Sequence, residues 1–346
     1  MEEIKRLQSM VDPLVLWFEE NGRMLPWRKD KKAYHIWISE IMLQQTKIEA
    51  VKNYYTRFME MLPTIQDLAQ IEEEKLLKLW EGLGYYSRAR NLKKAAIIIE
   101  QEYGGSMPDT YEKLLTLPGI GEYTAGAIAS IAFNQKVPAV DGNVLRVVSR
   151  VIENSEDVLL PATKKKITAQ LKLIMPEKAG VFNEAIMELG ELICIPNGMP
   201  LCDQCSLKDL CLARAHNTTL TIPKREKKSK RKHEKITVMI IQYKDKVAIK
   251  KRKSTGLLAN MYEFPNILGH LTVEEIKEWC CNNNLTVKNI SVGKKHKHIF
   301  THVEWDMTGY IVEVADISNS FIWDTRDNIL NNYPIPTAFL KFKKDI

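Results

Sequence analysis

Residues 116–130 read TLPGIGEYTAGAIAS, and residues 137–150 read VPAVDGNVLRVVSR. The first stretch ends an apolar-periodic run, TYEKLLTL, in a Pro-Gly-Ile-Gly turn and opens a second helix directly after it. Glycines at 119 and 121 in that turn let bare backbone amides point outward beside a helix N-terminus. Such amides suit a phosphate oxygen and read no particular base, although an ordinary αα-hairpin has the same pattern. The second stretch ends in a helix that starts at Asp141, a favoured N-cap residue. A carboxylate in that position is held ionised by the helix dipole and by amide hydrogen bonds, so its pKa is expected to fall. An anion fixed in this way can stabilise a developing positive charge.

Upstream, YHIWISEIMLQQT places Glu40 three and four residues after Trp37 and Ile36 and three before Leu43. The carboxyl therefore shares a helical face with apolar neighbours. Desolvation there raises its pKa until a proton is kept near neutral pH; a Glu at the edge of the face, paired at the surface, has the same spacing. Two carboxyls under opposite pressures form an acid and a charge stabiliser, the division of labour in glycosidic cleavage.

Further along, Cys194, Cys202, Cys205 and Cys211 fall within eighteen residues as Cys-x7-Cys-x2-Cys-x5-Cys, and no cysteine precedes them. Thiols so grouped point to a metal centre, with a disulfide pair as the plain alternative. Spacing does not choose between zinc and iron–sulfur, but the lone Cys-x2-Cys knuckle favours iron–sulfur. The remaining pair, Cys280 and Cys281, reads most simply as core.

The chain has 346 residues, 45% of them apolar, enough for two domains of about 100–200 residues. Residues 1–215 read as successive helices, among them VDPLVLWFEENG, EEEKLLKLWEGLG, RNLKKAAIIIEQEYGG and KKKITAQLKLIM. After residue 235 the period changes: KITVMIIQY and KVAIKKR read as strands around a Lys-Asp turn, VEEIKEWCCNN as a short helix, and HVEWDMTGYIVEV as a strand pair. The expected organisation is multidomain, with an all-α domain over 1–215 that includes the cysteine loop 194–211, a basic tether over 216–235 and an α+β domain over 236–346. Net charge is +7, but KREKKSKRKHEK at 224–235 holds eight Lys or Arg and two Glu, so +6 lies there. A run of this kind reads as a solvated linker, so any nucleic-acid affinity of the helical domain must come from local placement of charge. The acidic start MEEIKRLQSM has no apolar signal core, and no run approaches the roughly 18 apolar residues of a membrane span, which predicts a cytoplasmic protein without a membrane.

LPGIG, VDGNVLRV and the four-cysteine loop, in that order, resemble the helix-hairpin-helix DNA glycosylases. LPWR at 25–28, WISEIMLQQT at 37–46 and WEGLGYYSRARNL at 80–92 resemble the MutY-type adenine DNA glycosylases within them. STGLLANMYEFPN at 254–266 and HIFTHVEW at 298–305 are similar to that family's C-terminal Nudix-like domain, which reads 8-oxoguanine. The likeness covers nearly the whole chain. It implies removal of adenine opposite 8-oxoguanine or guanine in duplex DNA, a 4Fe-4S cluster on the four cysteines, a nucleoid-associated monomer, and abasic-site repair enzymes downstream.

Roles follow one residue at a time. By resemblance Glu40 protonates adenine, and Asp141, with Asn143 beside it, meets the oxocarbenium-like sugar. Tyr123 stands where the endonuclease III family has a lysine nucleophile, which implies a monofunctional enzyme. Trp27, Arg28 and Glu184 match the adenine pocket, while Gln45, Leu83, Tyr85 and Arg88 match positions that probe or wedge the duplex. Thr301, between Phe300 and His302, matches the hydroxyl that contacts 8-oxoguanine. Pro118, Gly119, Ile120 and Gly121 match the phosphate-gripping hairpin, and Lys208 and Arg214 are further candidates for phosphate.

Three positions depart from the family pattern. The first cysteine gap is one residue longer, Thr301 replaces the more usual Ser, and Leu145 stands where some members carry a lysine. No Arg-Glu-x-x-Glu-Glu run follows Gly256, and Tyr262 takes the expected glutamate position, so the C-terminal domain is expected to read bases without hydrolysing nucleotides.

Overall fold

The computed structural model describes residues 2–226 and 231–346, which separate into two compact units. The first comprises Met1–Gln70 and Asn91–Lys227, and the second joins Ile71–Arg90 to Lys228–Ile346. Among the described residues no helix is long and apolar enough to cross a membrane.

The first unit is helical. The helix Ala33–Leu43 buries Tyr34 and every residue from Ile36 to Met42, so it is covered on all sides, with Ser39 and Glu40 as its buried polar groups. The helix Glu122–Phe133 packs on it, and its small residues allow close approach: a Cβ on Gly126 would lie 2.6 Å from the Pro138 carbonyl oxygen. Asn134 ends that helix in the left-handed conformation, φ +51°, which an Asn tolerates. The helix Ala179–Leu192 packs against Val11–Asn21, Glu122–Phe133 and Gly142–Val151. Their shared core holds Leu14, Val144, Val147, Val148, Phe182 and Leu189. Phe182 is fully buried there, and truncation to Ala would cost about 3–5 kcal/mol.

The second unit is built on a mixed sheet of β1 (Lys232–Tyr243), β2 (Lys246–Lys251), β3 (Tyr262–Glu263), β4 (Asn266–Leu268), β5 (Val287–Ile299), β6 (Val303–Val314) and β7 (Ile322–Thr325). The order is β3-β2-β1-β6-β5, with β4 on β1 and β7 on β2. β1 runs parallel to β6 from Lys232↔Val303 to Gln242↔Glu313. Its apolar run is nearly continuous because both faces are covered. Ile236, Val238 and Ile240 face one core with Phe264, Trp305, Phe339 and Phe342. Met239 and Ile241 face the other with Ile276 of the helix Val273–Asn282.

Several expectations are revised. HVEWDMTGYIVEV is one strand, β6, which pairs on both sides, and Gly309 lies inside it opposite β5 with no turn. β5, rich in Lys and His, escaped notice because none of its residues is buried and few of them are apolar. Cys280 is buried but Cys281 is exposed, since neighbouring helical positions face different ways.

The stretch expected as a tether is ordered at both ends, while residues 227–230 lie outside the described residues. Within it, Lys224 O accepts from Val158 N (3.2 Å) and Glu226 N donates to Asp157 Oδ2 (3.1 Å). At its end, β1 already begins at Lys232. Basic side chains do not prevent backbone amides from pairing when a carboxylate or a strand edge is available.

Residues 71–90 group with the second unit through specific polar contacts. Lys78 Nζ lies 2.7 Å from Glu81 Oε2 and 3.2 Å from Tyr333 O, and Glu81 also pairs with Lys343. Tyr262 donates its hydroxyl to Glu74 (2.8 Å), Asn260 Nδ2 bonds Glu73 (2.7 Å) and Arg90 reaches Ala259 O (2.9 Å).

Candidate active site

A cleft of about 1210 Å³ in the first unit is lined by Trp27, Arg28, Glu40, Gln45, Tyr123, Asp141, Asn143 and Glu184, together with Arg23 and Glu188. Glu40 reaches it from the buried helix and is only 6% exposed. Burial raises its pKa to about 7; the Tyr123 hydrogen bond and Arg28 oppose this, and the charges of Asp141 and Glu184 add to it. Tyr123, from the helix after the hairpin, donates its hydroxyl to Glu40 Oε2. Burial first, and then the charges of Glu40 and Asp141, hold the Tyr123 hydroxyl far above its usual pKa, so it remains a donor.

Asp141 caps the helix Gly142–Val151. Its Oδ1 accepts from Asn143 N (2.9 Å) and Val144 N (2.8 Å), and its Oδ2 accepts from Asn143 Nδ2 (2.9 Å). The expected fall in its pKa is not what the structure gives. Burial of the carboxyl outweighs the two amide bonds, Arg146 and the Asn143 amide, and leaves the pKa raised. The capping geometry is as read, but desolvation cannot be seen from a helix boundary. Asn143 is in turn fixed by Arg146, whose Nη2 donates to Asn143 Oδ1 (2.7 Å) and whose Nε donates to Cys194 O (2.6 Å). A hydrogen-bond path thus joins the first cysteine's backbone to the Asp141 carboxylate.

The far wall is an ionic network. Arg28 Nε donates to Glu184 Oε1 (2.9 Å), and its Nη2 to Glu188 Oε2 (3.2 Å), while its guanidinium lies 5.0 Å above the Phe18 ring. Burial raises the Glu184 pKa despite Arg28. Burial also pulls Glu188 upward, but Arg23 and Arg28 overcome it and the carboxyl lies below its usual range. Arg23 and Glu188 were missed in the sequence. The available signal was a second Glu four residues after Glu184 in the apolar helix GVFNEAIMELG, one turn along the same face.

At the hairpin, Gly119 has φ +79° and an exposed surface, and a Cβ there would lie 2.7 Å from the Asn91 Cβ, so both conformation and space require glycine. Ile120 is buried and anchors the turn, while Gly121 caps the next helix without a side chain. Trp27 is buried edge-on against Tyr55, and Gln45 is exposed at the cleft with φ +59°.

Leu83, Tyr85, Arg88, Phe300, Thr301 and His302 gather in the second unit. Tyr85, 47% exposed and at φ +47°, places its hydroxyl 3.3 Å from Thr301 Oγ1. Leu83 is buried. Arg88 turns inward, donating to the Leu83 (3.0 Å) and Gly84 (3.1 Å) carbonyls, with its guanidinium near the Trp80 and Tyr85 rings. Phe300 packs edge-on against Trp305 at 4.8 Å, and exposed His302 accepts from Lys232 N through its carbonyl (3.0 Å).

Cys194, Cys202, Cys205 and Cys211 are all free and partly buried. The thiols of Cys202, Cys205 and Cys211 are pushed up by burial and also feel Cys194. Arg150 Nη1 donates to Cys194 Sγ (3.2 Å), and Cys211 Sγ lies 3.4 Å from Arg150 O. Among the described residues no group of three or more His, Cys, Asp or Glu is placed to hold a metal ion. Arg214 pairs with Asp203 at 3.3 Å.

Comparison with known proteins agrees with this architecture. Residues 38–177 match the HhH-GPD superfamily base excision DNA repair protein family, and residues 237–345 match the NUDIX domain family. The chain is 34% identical over 339 residues to an adenine DNA glycosylase of Buchnera aphidicola subsp. Baizongia pistaciae, covering 95% of each chain. It is 44% identical over 222 residues to the adenine DNA glycosylase of Homo sapiens, covering 61% of this chain and 40% of that one. Among solved structures, a thermostable thymine-DNA glycosylase matches 61% of this chain and 98% of its own, at 29% identity and a TM-score of 0.56.

Proposed function

Because the chain belongs to the adenine DNA glycosylases, which hydrolyse N-glycosyl bonds in base excision repair, we propose that it excises adenine paired with 8-oxoguanine or guanine in duplex DNA, without cleaving the strand. The observation that carries this reading is one cleft holding a desolvated carboxyl, Glu40, whose pKa of about 7 keeps its proton near neutrality, and a second carboxyl, Asp141, held by amide donors.

Adenine flips from the stack into the cleft between Trp27 and the Arg28–Glu184 pair. Glu40 donates its proton to the five-membered ring, and the electron pair of the breaking C–N bond leaves with the now neutral base. Asp141 must be ionised to face the sugar cation, and the emerging positive charge itself favours that ionisation. Water adds to the sugar carbon and returns a proton to the Glu40 carboxylate. Tyr123 orients Glu40, and with a phenol in place of an amine no Schiff base forms there. The hairpin amides of Gly119 and Gly121 hold a phosphate, Gln45 probes the duplex at the cleft, and Tyr85 and Thr301 contact the base opposite. The Nudix-like unit reads the opposite base without hydrolysing nucleotides.

Cys194, Cys202, Cys205 and Cys211 are proposed to hold a 4Fe-4S cluster, supported by four free, partly buried thiols that feel one another electrostatically. Its contribution when bound is to shape the loop that carries Lys208 and Arg214 towards DNA. Equal iron and sulfide in the purified protein would support it, and stoichiometric zinc would replace it. The enzyme is proposed to act as a monomer in the cytoplasm, on nucleoid DNA.

The test incubates the protein with duplexes carrying adenine opposite 8-oxoguanine, guanine or thymine and assays abasic sites with and without alkali. Release opposite 8-oxoguanine, with strand breaks only after alkali, is the expected result. Equal release opposite thymine would remove the mispair specificity, and borohydride trapping of a covalent adduct would remove the monofunctional mechanism.

A further inference from the structure

Glu188 takes no part in proton transfer or charge stabilisation, yet it is 2% exposed, and protein donors engage both its oxygens. Oε1 accepts from Arg23 N (3.0 Å) and Arg23 Nε (2.7 Å), while Oε2 accepts from Arg23 Nη2 (3.0 Å) and Arg28 Nη2 (3.2 Å). Oε2 therefore lies between two guanidiniums that would otherwise repel. Arg28 is held on its other edges as well, by Glu184 Oε1 at its Nε and by Arg23 O at its Nη1 (3.2 Å).

We propose that Glu188 is a positioning residue that locks Arg23 and Arg28 into one rigid pair, so that Arg28 meets the flipped purine already in place. This rests on the adenine-excising reading of the cleft. Stability alone is a weak reason for such a carboxylate, because buried ion pairs are often no better than apolar packing of the same volume. An unpinned Arg is also long and flexible, and the freedom it would lose on binding is lost here on folding. Both arginines line the cleft that Glu40 and Asp141 share. Glu188 lines the same cleft but is 2% exposed and has both oxygens taken up by the two arginines, as support for a reactive constellation should be.

A double-mutant cycle under single-turnover conditions tests the assignment. Glu188→Gln in the full chain should slow adenine release at least ~10-fold while duplex affinity changes less than about threefold. On an Arg28→Met background, the same Glu188→Gln change should cost less than about twofold, because the residue it acts through is already gone. Equal losses on the two backgrounds, or a loss below about threefold in the wild type, would overturn the role. Should Glu188→Gln fail to fold, Arg23→Met serves in the same cycle, since Arg23 is partly exposed, and the same pattern of non-additivity is expected. Adenine release by the wild type is the separate control: with an active wild type, an additive cycle removes only the positioning role.

Discussion

The cleft of the first unit and the Tyr85–Thr301 edge of the second answer opposite physical demands. In the cleft, Glu40 is 6% exposed and its proton affinity is set by burial and by neighbouring charges. At the edge, Tyr85 is 47% exposed, with a single hydroxyl contact to an exposed threonine. Chemistry needs groups withdrawn from water, where charge effects are large, whereas reading a base needs groups that can reach it. Substitutions in the cleft should therefore act on rate, and those at the edge on preference.

The strongest way to break this contrast is Glu40→Gln, expected to slow single-turnover adenine release about 10²–10⁴-fold with duplex binding retained. Parallel losses of rate and affinity would make Glu40 structural. Asp141→Asn comes next, at about 10²–10³-fold, since it removes the anion proposed to face the sugar while an amide can still cap the helix. A change below about threefold would leave Asp141 only its capping role. Thr301→Ala removes one hydroxyl, worth about 0.5–1.5 kcal/mol as a hydrogen bond. It should weaken the preference for 8-oxoguanine over guanine about two- to tenfold without slowing the chemical step; an unchanged ratio in paired single-turnover assays would exclude the contact.

The smallest effect concerns pH. In the proposed mechanism Glu40 carries its proton, so activity should fall as pH rises through about 7. Asp141 must be ionised, so activity should also fall in acid, with a limb above the ordinary Asp value because its pKa is raised. Tyr123→Phe deletes a hydrogen bond that lowers the Glu40 pKa and should move the alkaline limb to higher pH. A limb that moves the other way in a pH–rate profile would show that Tyr123 does not act on Glu40 through this bond.

Features that depend on near neighbours were legible in the sequence. The turn at Gly119, the cap at Asp141, the apolar face around Glu40 and the strands on either side of Lys244 and Asp245 all involve positions a few residues apart. Less legible were β5, whose apolar signal is weak, and the placement of 71–90 in the second unit. Helical periodicity says which residues seek a partner but not which partner they find.

From the sequence alone came the local arrangement: helices with a glycine hairpin, a helix-capping Asp141, a carboxyl among apolar residues, four closely spaced thiols and a β-rich second half. Tertiary structure alone decided that Tyr123 meets Glu40 across 83 positions and that Arg23 meets Glu188 across 165. It also decided that burial raises Asp141 where its cap would lower it. The physical reason is range. Capping and periodicity act within a turn or two of chain, whereas desolvation and charge coupling depend on everything that folding brings around a group.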